Sequence, residues 1–307
     1  MLNLMGKRYW FFTFSILVIL SGIIAMAVWG LPLSIEFKGG SLLELKFASG
    51  KLPSTTEIAD VYHSLNITEV QANTSGTDIM IIRSSALTQD QQNNVIKTIE
   101  TKFNDKVTIQ ESNTVGPTIG QQVTTRAGMA ILLSSLALVI FITYSFRGVE
   151  HAFRYGVCTV VALIHDIMII LTVIAFGGHF FGWQVDTLYL TALLTVIAFS
   201  AQDTIVVFDR LRENSAILRK VKFESLTNHS VVQTLTRSIN TQVMAVDFIL
   251  LSLALFGGAS LHEFAIALLV GMLSGSYSSD FIAAPLLIVW ENKEWKTWFH
   301  RTASATV

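Results

Sequence analysis

Long charge-poor runs dominate this chain, and between the first two of them the pattern changes character. The runs are Tyr9–Gly30, Ala127–Phe146, Tyr155–Phe181, Thr187–Phe208, Ser238–Gly258 and Phe264–Trp290. Each holds about 20 residues of helix, the length that a bilayer's hydrocarbon core requires. The pattern therefore predicts six membrane-spanning helices. Between the first and second runs, short alternating segments replace the continuous apolar ones. Ser34–Phe47, Glu69–Asn73, Asp78–Arg83 and Lys106–Val115 have strand character. Ser54-Thr-Thr-Glu57 and Thr88-Gln-Asp-Gln91 are capping boxes that open helices. The second of these helices carries Val95, Ile99 and Phe103 on one stripe. The order β-α-β-β-α-β is the split-βαβ, ferredoxin-like pattern.

These readings divide the chain into an N-terminal tail and first helix (1–33), an external α+β domain (34–122), five further helices (123–292) and a C-terminal tail (293–307). Lys7-Arg8, an apolar core and Ala25-Met26-Ala27 also have the form of a secretory signal, but the uncharged run extends to Ile35, longer than a signal core. A retained first helix is expected.

Composition sharpens the class. Hydrophobic residues make up 51% and charged residues 14% of the sequence, and the mean hydropathy is +0.55, away from the soluble globular average. With a net charge of −1, nothing calls for a nucleic-acid partner. Cys158 is the only cysteine, so no intramolecular disulfide or cysteine-based zinc site is available. Positive charge sets the orientation. Lys7, Arg8, Arg147, Arg154, Arg210, Arg212, Arg219, Lys220, Lys222, Arg237, Lys293, Lys296 and Arg301 flank one side of the spans. The loops His179–Asp186 and Ala259–Glu263 contain no Lys or Arg. Both termini are expected in the cytoplasm and the α+β domain outside.

Three positions carry candidate chemistry. Asp203 lies six residues before Asp209, the start of the charged run, and so about 9 Å inside the membrane edge at helical rise. A carboxylate at that depth costs roughly 2.5–3.5 kcal/mol on insertion scales and is by default functional; the competing role is a static polar contact between helices. Arg237 could reach Asp203 if its helix begins earlier than the apolar run, near Ser230; otherwise it marks the membrane boundary by snorkelling. His165-Asp166 lies about 18 Å past Arg154, near mid-membrane. The two could relay protons, but neighbours point about 100° apart on a helix, so they are not expected to face one site. Gly271, Gly275 and Ser279 form a small-residue stripe suited to close helix packing. There is no GxxxxGK[ST], HExxH, GxSxG or clustered Cys/His. An enzyme and a resident cofactor are not expected, and any work would draw on an ion gradient or a partner.

Several stretches together resemble the SecF family, the smaller membrane subunit of the SecD–SecF pair that assists bacterial Sec export. The G-x-D-F-x-G-G stretch reads Leu33-Ser34-Ile35-Glu36-Phe37-Lys38-Gly39-Gly40. V-G-P-x-[IV]-G is Val115-Gly116-Pro117-Thr118-Ile119-Gly120, and A-x-H-D is Ala162-Leu163-Ile164-His165-Asp166. The most specific, Y-S-x-N-D-[ST]-I-V-V-x-D-R-[IL]-R-E-N, runs from Phe199-Ser200-Ala201-Gln202-Asp203 to Asn214. T-L-x-R-[ST]-[IL]-x-T is Thr234 to Thr241 and includes Arg237. Glu36 and Gln202 stand where the family has Asp and Asn; Asp247 and Asp280 stand where it is typically apolar. The resemblance implies half of an RND-type permease in the bacterial inner membrane, with a proton-responsive site that includes Asp203 and Arg237. The partners it implies are a SecD-like subunit, the Sec translocon channel (SecYEG), translocating preprotein and membrane lipid. Its function would be to couple the proton gradient to late steps of translocation. The alternatives are an RND-like exporter of a lipid or small molecule, or a passive assembly subunit.

Overall fold

The computed structural model describes residues 3–149, 151–242, 248–257 and 259–298. They divide into two compact units. One comprises 1–31, 130–179 and 188–307, and the other 32–129 and 180–187.

The smaller unit is built on a four-stranded antiparallel sheet in the order β2-β3-β1-β4. Its elements are a helical turn α2 (Ile35–Lys38), β1 (Gly40–Phe47), α3 (Thr55–Ser64), β2 (Gln71–Ser75), β3 (Ile79–Ser84), α4 (Gln89–Phe103) and β4 (Val107–Val115). Alternation on β1 and β3 turns Leu43, Leu45, Phe47, Met80 and Ile82 to one face. There α3 and α4 cover them with Ile58, Val61, Tyr62, Val95 and Ile99. Both capping boxes form. Ser54 and Thr88 accept from the backbone of Glu57 and Gln91, whose side chains return the bond.

The expected first strand is shorter than its sequence pattern. Residues Ile35–Lys38 coil into a turn because the Ser34 side chain caps it, accepting from Glu36 N. Gly39 ends it at φ 83°, a conformation that favours glycine, and the strand starts at Gly40. The Phe37-Gly39-Gly40 and Gly116-Pro117 motifs meet backbone to backbone. A Cβ on Gly39 would lie 2.7 Å from Pro117 Cα, and one on Gly120 would lie 2.7 Å from Gly39 N. Thr124 Oγ1 donates to Phe37 O across the same contact (3.0 Å). Beside it, Leu33 bridges Val185 in parallel. The Glu36 carboxylate accepts from Thr187 N at 2.6 Å and from Thr187 Oγ1.

The larger unit is helical. A 3-10 turn at Met5–Lys7 leads into α1 (Arg8–Trp29). The other helices are α5 (Pro117–Ser145, in this unit from Ala130), α6 (Ala152–Phe181), α7 (Thr187–Ile217), α8 (Phe223–Gln242), α9 (Phe248–Phe256) and α10 (Ala259–Ser278). A π-helical turn, Ser279–Ala283, joins α10 to α11 (Ala284–Glu291), and a short α12 follows (Trp295–Trp298). Among the described residues, five helices are long and apolar enough to cross a membrane: Met5–Trp29, Pro117–Ser145, Ala152–Phe181, Thr187–Ile217 and Leu261–Glu291. The expected fifth span includes residues 243–247 and 258, among them Asp247, which lie outside the described residues.

Glycine and serine bring these helices together. A Cβ on Gly22 would strike Thr172 Oγ1 at 1.8 Å, and one on Gly271 would meet Val196 Cγ2 at 2.4 Å. Phe11 of α1 packs on Phe281 with centroids 4.5 Å apart. Arg8 pairs with Glu294 (2.7 Å) and Glu224 (3.0 Å), and Arg154 with Glu291 (2.8 Å). Arg8 and Arg154 are thus engaged in ion pairs.

Candidate functional site

A polar seam runs along the facing surfaces of α7 and α10. Asp166, on α6, is wholly buried. Its two oxygens accept from Ser200 Oγ (2.6 Å), Ser274 Oγ (2.7 Å) and Ser278 Oγ (2.7 Å). His165 Nδ1 lies 3.1 Å from the same carboxylate. Nε2 meets Ser15 Oγ of α1 at 3.0 Å, and Ser15 Oγ in turn donates to Tyr277 at 3.3 Å. The expectation that His165 and Asp166 would face apart is therefore corrected. Their backbone directions diverge, but the imidazole is long enough to fold back onto the neighbouring carboxylate.

Asp203 lies at the same α7–α10 interface, one turn from Ser200. It is half-buried, and its Oδ2 accepts from Ser276 Oγ at 2.8 Å. Thr204 and Ser279 meet at 2.8 Å beside it. Asp280, in the π-helical turn, is 2% exposed. Its Oδ1 has no hydrogen-bond partner among the described residues.

Helix α8 begins at Phe223, well before Ser238, because Leu226, Thr227, Ser230, Val231 and Thr234 give it a buried face. Asn214 Nδ2 of α7 donates to Ser230 Oγ at 2.9 Å. The early start places Arg237 inside the helix, where its charge acts on Asp203. The two form no ion pair among the described residues, and Arg237 is exposed together with Asn240 and Thr241. Gln202 is exposed on α7 and does not join the seam. Phe37, Gly39, Gly40, Gly116 and Pro117 belong to the smaller unit, where they shape the backbone contact described above. The small-residue stripe packs as expected: a Cβ on Gly275 would lie 3.0 Å from Ser200 Cβ.

Sequence reasoning overlooked the hydroxyls. Ser15, Ser200, Thr204, Ser274, Ser276 and Ser278 make most of the seam's hydrogen bonds. The signal was present as Ser274-Gly-Ser-Tyr-Ser-Ser-Asp280, a polar run inside an apolar helix. Among the described residues no cluster of His, Cys, Asp and Glu suits a metal ion.

Comparison with known proteins accounts for this arrangement. Residues 95–293 match the family model described as protein export membrane protein SecD/SecF, C-terminal. The chain is 55% identical to protein translocase subunit SecF of Anaerolinea thermophila, over 99% of this chain and 98% of that one. It is 38% identical to SecF of Thermobaculum terrenum over 98% of each. Protein translocase subunit SecDF of Bacillus subtilis matches at 33% identity, over 95% of this chain but 38% of that one. Among solved structures, SecDF from Thermus thermophilus, a translocon-associated membrane protein, superposes with a TM-score of 0.82 at 27% identity; the match covers 95% of this chain and 39% of that one. Identity sustained over almost the whole length, with the same fold, means that the chain belongs to the SecF family of protein translocase subunits.

Proposed function

We propose that this subunit works with a SecD-like partner at the Sec translocon and couples the proton gradient to late steps of preprotein translocation. The observation that carries this reading is Asp203: a half-buried carboxylate on a membrane helix, held by one serine and under the influence of Arg237 without being locked to it. Such a group can take up and release a proton as helices shift, whereas a fully paired one cannot do so cheaply. A charge crossing about 100 mV supplies about 2.3 kcal/mol, enough to bias a two-state membrane core. The His165–Asp166 network ties α1 and α6 to the same helices and would transmit or stabilise that change.

The partner reading rests on the relatives: the chain spans about two fifths of the solved SecDF chains that it matches, and a SecD-like part, in the same or another chain, would supply the remainder. Its contact surface would include Gln202 on α7 and Arg237, Asn240 and Thr241 on α8, polar groups that are exposed in this chain. In this reading the membrane part is half of an RND-type permease with six spans. Residues 34–122 are external, 123–292 hold the remaining spans, 293–307 form a cytoplasmic tail, and both termini face the cytoplasm of a bacterial inner membrane. A cysteine at Ser75 should react with an impermeant reagent added outside, and one at Ser215 should not.

Asp203→Asn tests the coupling. It keeps size and hydrogen bonding but removes ionisation. Complex assembly should persist while stimulation of export by a proton gradient disappears. Wild-type export from a purified Asp203→Asn complex under a gradient would reduce the chain to a passive assembly subunit.

A further inference from the structure

Asp280 is the most unusual group in the helical unit. It is 2% exposed, and one of its oxygens has no partner among the described residues. Burying a carboxylate without hydrogen bonds is strongly unfavourable, so its retention asks for a reason. Its position supplies one. It lies four residues after Ser276, which donates to Asp203, and directly follows Ser279, which meets Thr204. Two adjacent pairs thus set Asp203 and Asp280 across the same α7–α10 contact. The charges of the two carboxyl groups act on one another. The backbone there widens into a π-helical turn, an irregularity often found at functional sites.

Among the described residues, the remaining surroundings offer Asp280 no cation of its own. The α1 helix presents Phe11 to this turn. The α11 helix presents Leu287 and Ile288, and its Glu291 is engaged by Arg154. On α6, Asp166 is saturated by serines and by His165. The Arg237 charge on α8 acts on Asp203.

We infer that Asp203 and Asp280 form one site that holds a single proton between two carboxyl groups. One carboxylate, one carboxylic acid and the Arg237 guanidinium then sum to zero charge. Two ionised carboxylates there would leave a net negative charge in an apolar interior, which like-charge repulsion and burial both oppose. Proton transfer between Asp203 and Asp280 changes neither the total charge nor the number of protons held. It changes only whether α7 or the π-helical turn after α10 carries the ionised group. This rests on the coupling reading above and adds a second acid to it.

The test is infrared difference spectroscopy of the protonated-carboxyl band during a pH titration of the complex in lipid nanodiscs. Wild type should show such a band, and Asp203→Asn and Asp280→Asn should each retain one from the surviving acid. Each substitution should move the band's midpoint by about one pH unit or more, the signature of coupled sites. Asp209→Asn should not move it. Asp280→Leu, compatible with the apolar surroundings, replaces Asp280→Asn if that variant fails to assemble, and should move the Asp203 midpoint likewise. Unchanged midpoints, or no carboxyl band in wild type, would overturn the inference. So would loss of the band when sodium replaces choline at constant pH, since a bound cation would then occupy the site. Export assays separate the two ideas. Shifted midpoints with export unaffected by Asp203→Asn would leave the pair standing and remove the coupling reading.

Discussion

Asp166 and Asp203 are both carboxylates on membrane helices, one helix apart, and their surroundings differ sharply. Asp166 is completely buried, three serines from two helices donate to it, and His165 contacts it. Asp203 is half-buried with one serine donor. A carboxylate saturated with charge-assisted hydrogen bonds holds its charge in place and fixes the helices that supply the donors. One with spare acceptor capacity and a cation that acts at a distance can change its protonation or partners at small cost. In the proposed reading, the number and rigidity of the donors, rather than depth in the membrane, would distinguish a pin from a switch.

The largest effect should follow from removing the pin. Asp166→Leu would leave Ser200, Ser274, Ser278 and His165 without their common acceptor. Breaking a buried charged network of this kind costs about 3–5 kcal/mol. We expect loss of monodisperse complex and a strongly lowered Tm, measured by fluorescence-detected chromatography. Normal assembly with selective loss of proton stimulation would instead make Asp166 a switch.

Arg237→Met should leave assembly near normal and reduce proton-stimulated export towards the level without a gradient. It removes the cation that acts on Asp203 while keeping an unbranched side chain. A fall in stability as large as that of Asp166→Leu would erase the contrast between the two regions.

A third measurement uses a carboxylate outside the spans. Burial alone would raise the pKa of Glu294, but hydrogen bonds from Tyr9, Asn292 and Arg8, with the Arg8 charge, outweigh it and hold the group below the ordinary glutamate value. A depressed folded-state value gives stability that is fully present above the unfolded value and is lost as pH falls through the folded one. The Tm of wild type should therefore drop on acidification in that window, and Glu294→Gln should flatten this part of the curve. Identical acid profiles would show that the Arg8–Glu294 pair contributes nothing.

The smallest effect should come from the α+β unit. Ser54→Ala removes one capping bond from α3, a loss of about 1 kcal/mol, visible in hydrogen exchange of the first turn of that helix. Its export phenotype should be negligible.

Sequence alone determined the class of this protein, five of the six expected apolar spans and the α+β order between the first two of them. Hydrophobic period and capping boxes are local properties, and Ser54–Glu57 and Thr88–Gln91 formed as their spacing implied. It also singled out Asp203, Arg237 and His165-Asp166, because charge in an apolar run is visible without a fold. What it could not decide was which groups meet. Residues 34–39 had strand character, but a serine cap and a glycine at positive φ made a turn of Ile35–Lys38. His165 and Asp166 diverge on an ideal helix yet meet through side-chain reach. Whether a buried carboxylate is saturated, like Asp166, or short of donors, like Asp280, depends on hydroxyls as many as 112 residues away in the chain. Only the packing of α6, α7 and α10 brings those hydroxyls to their acceptors, and a one-dimensional pattern carries no record of that.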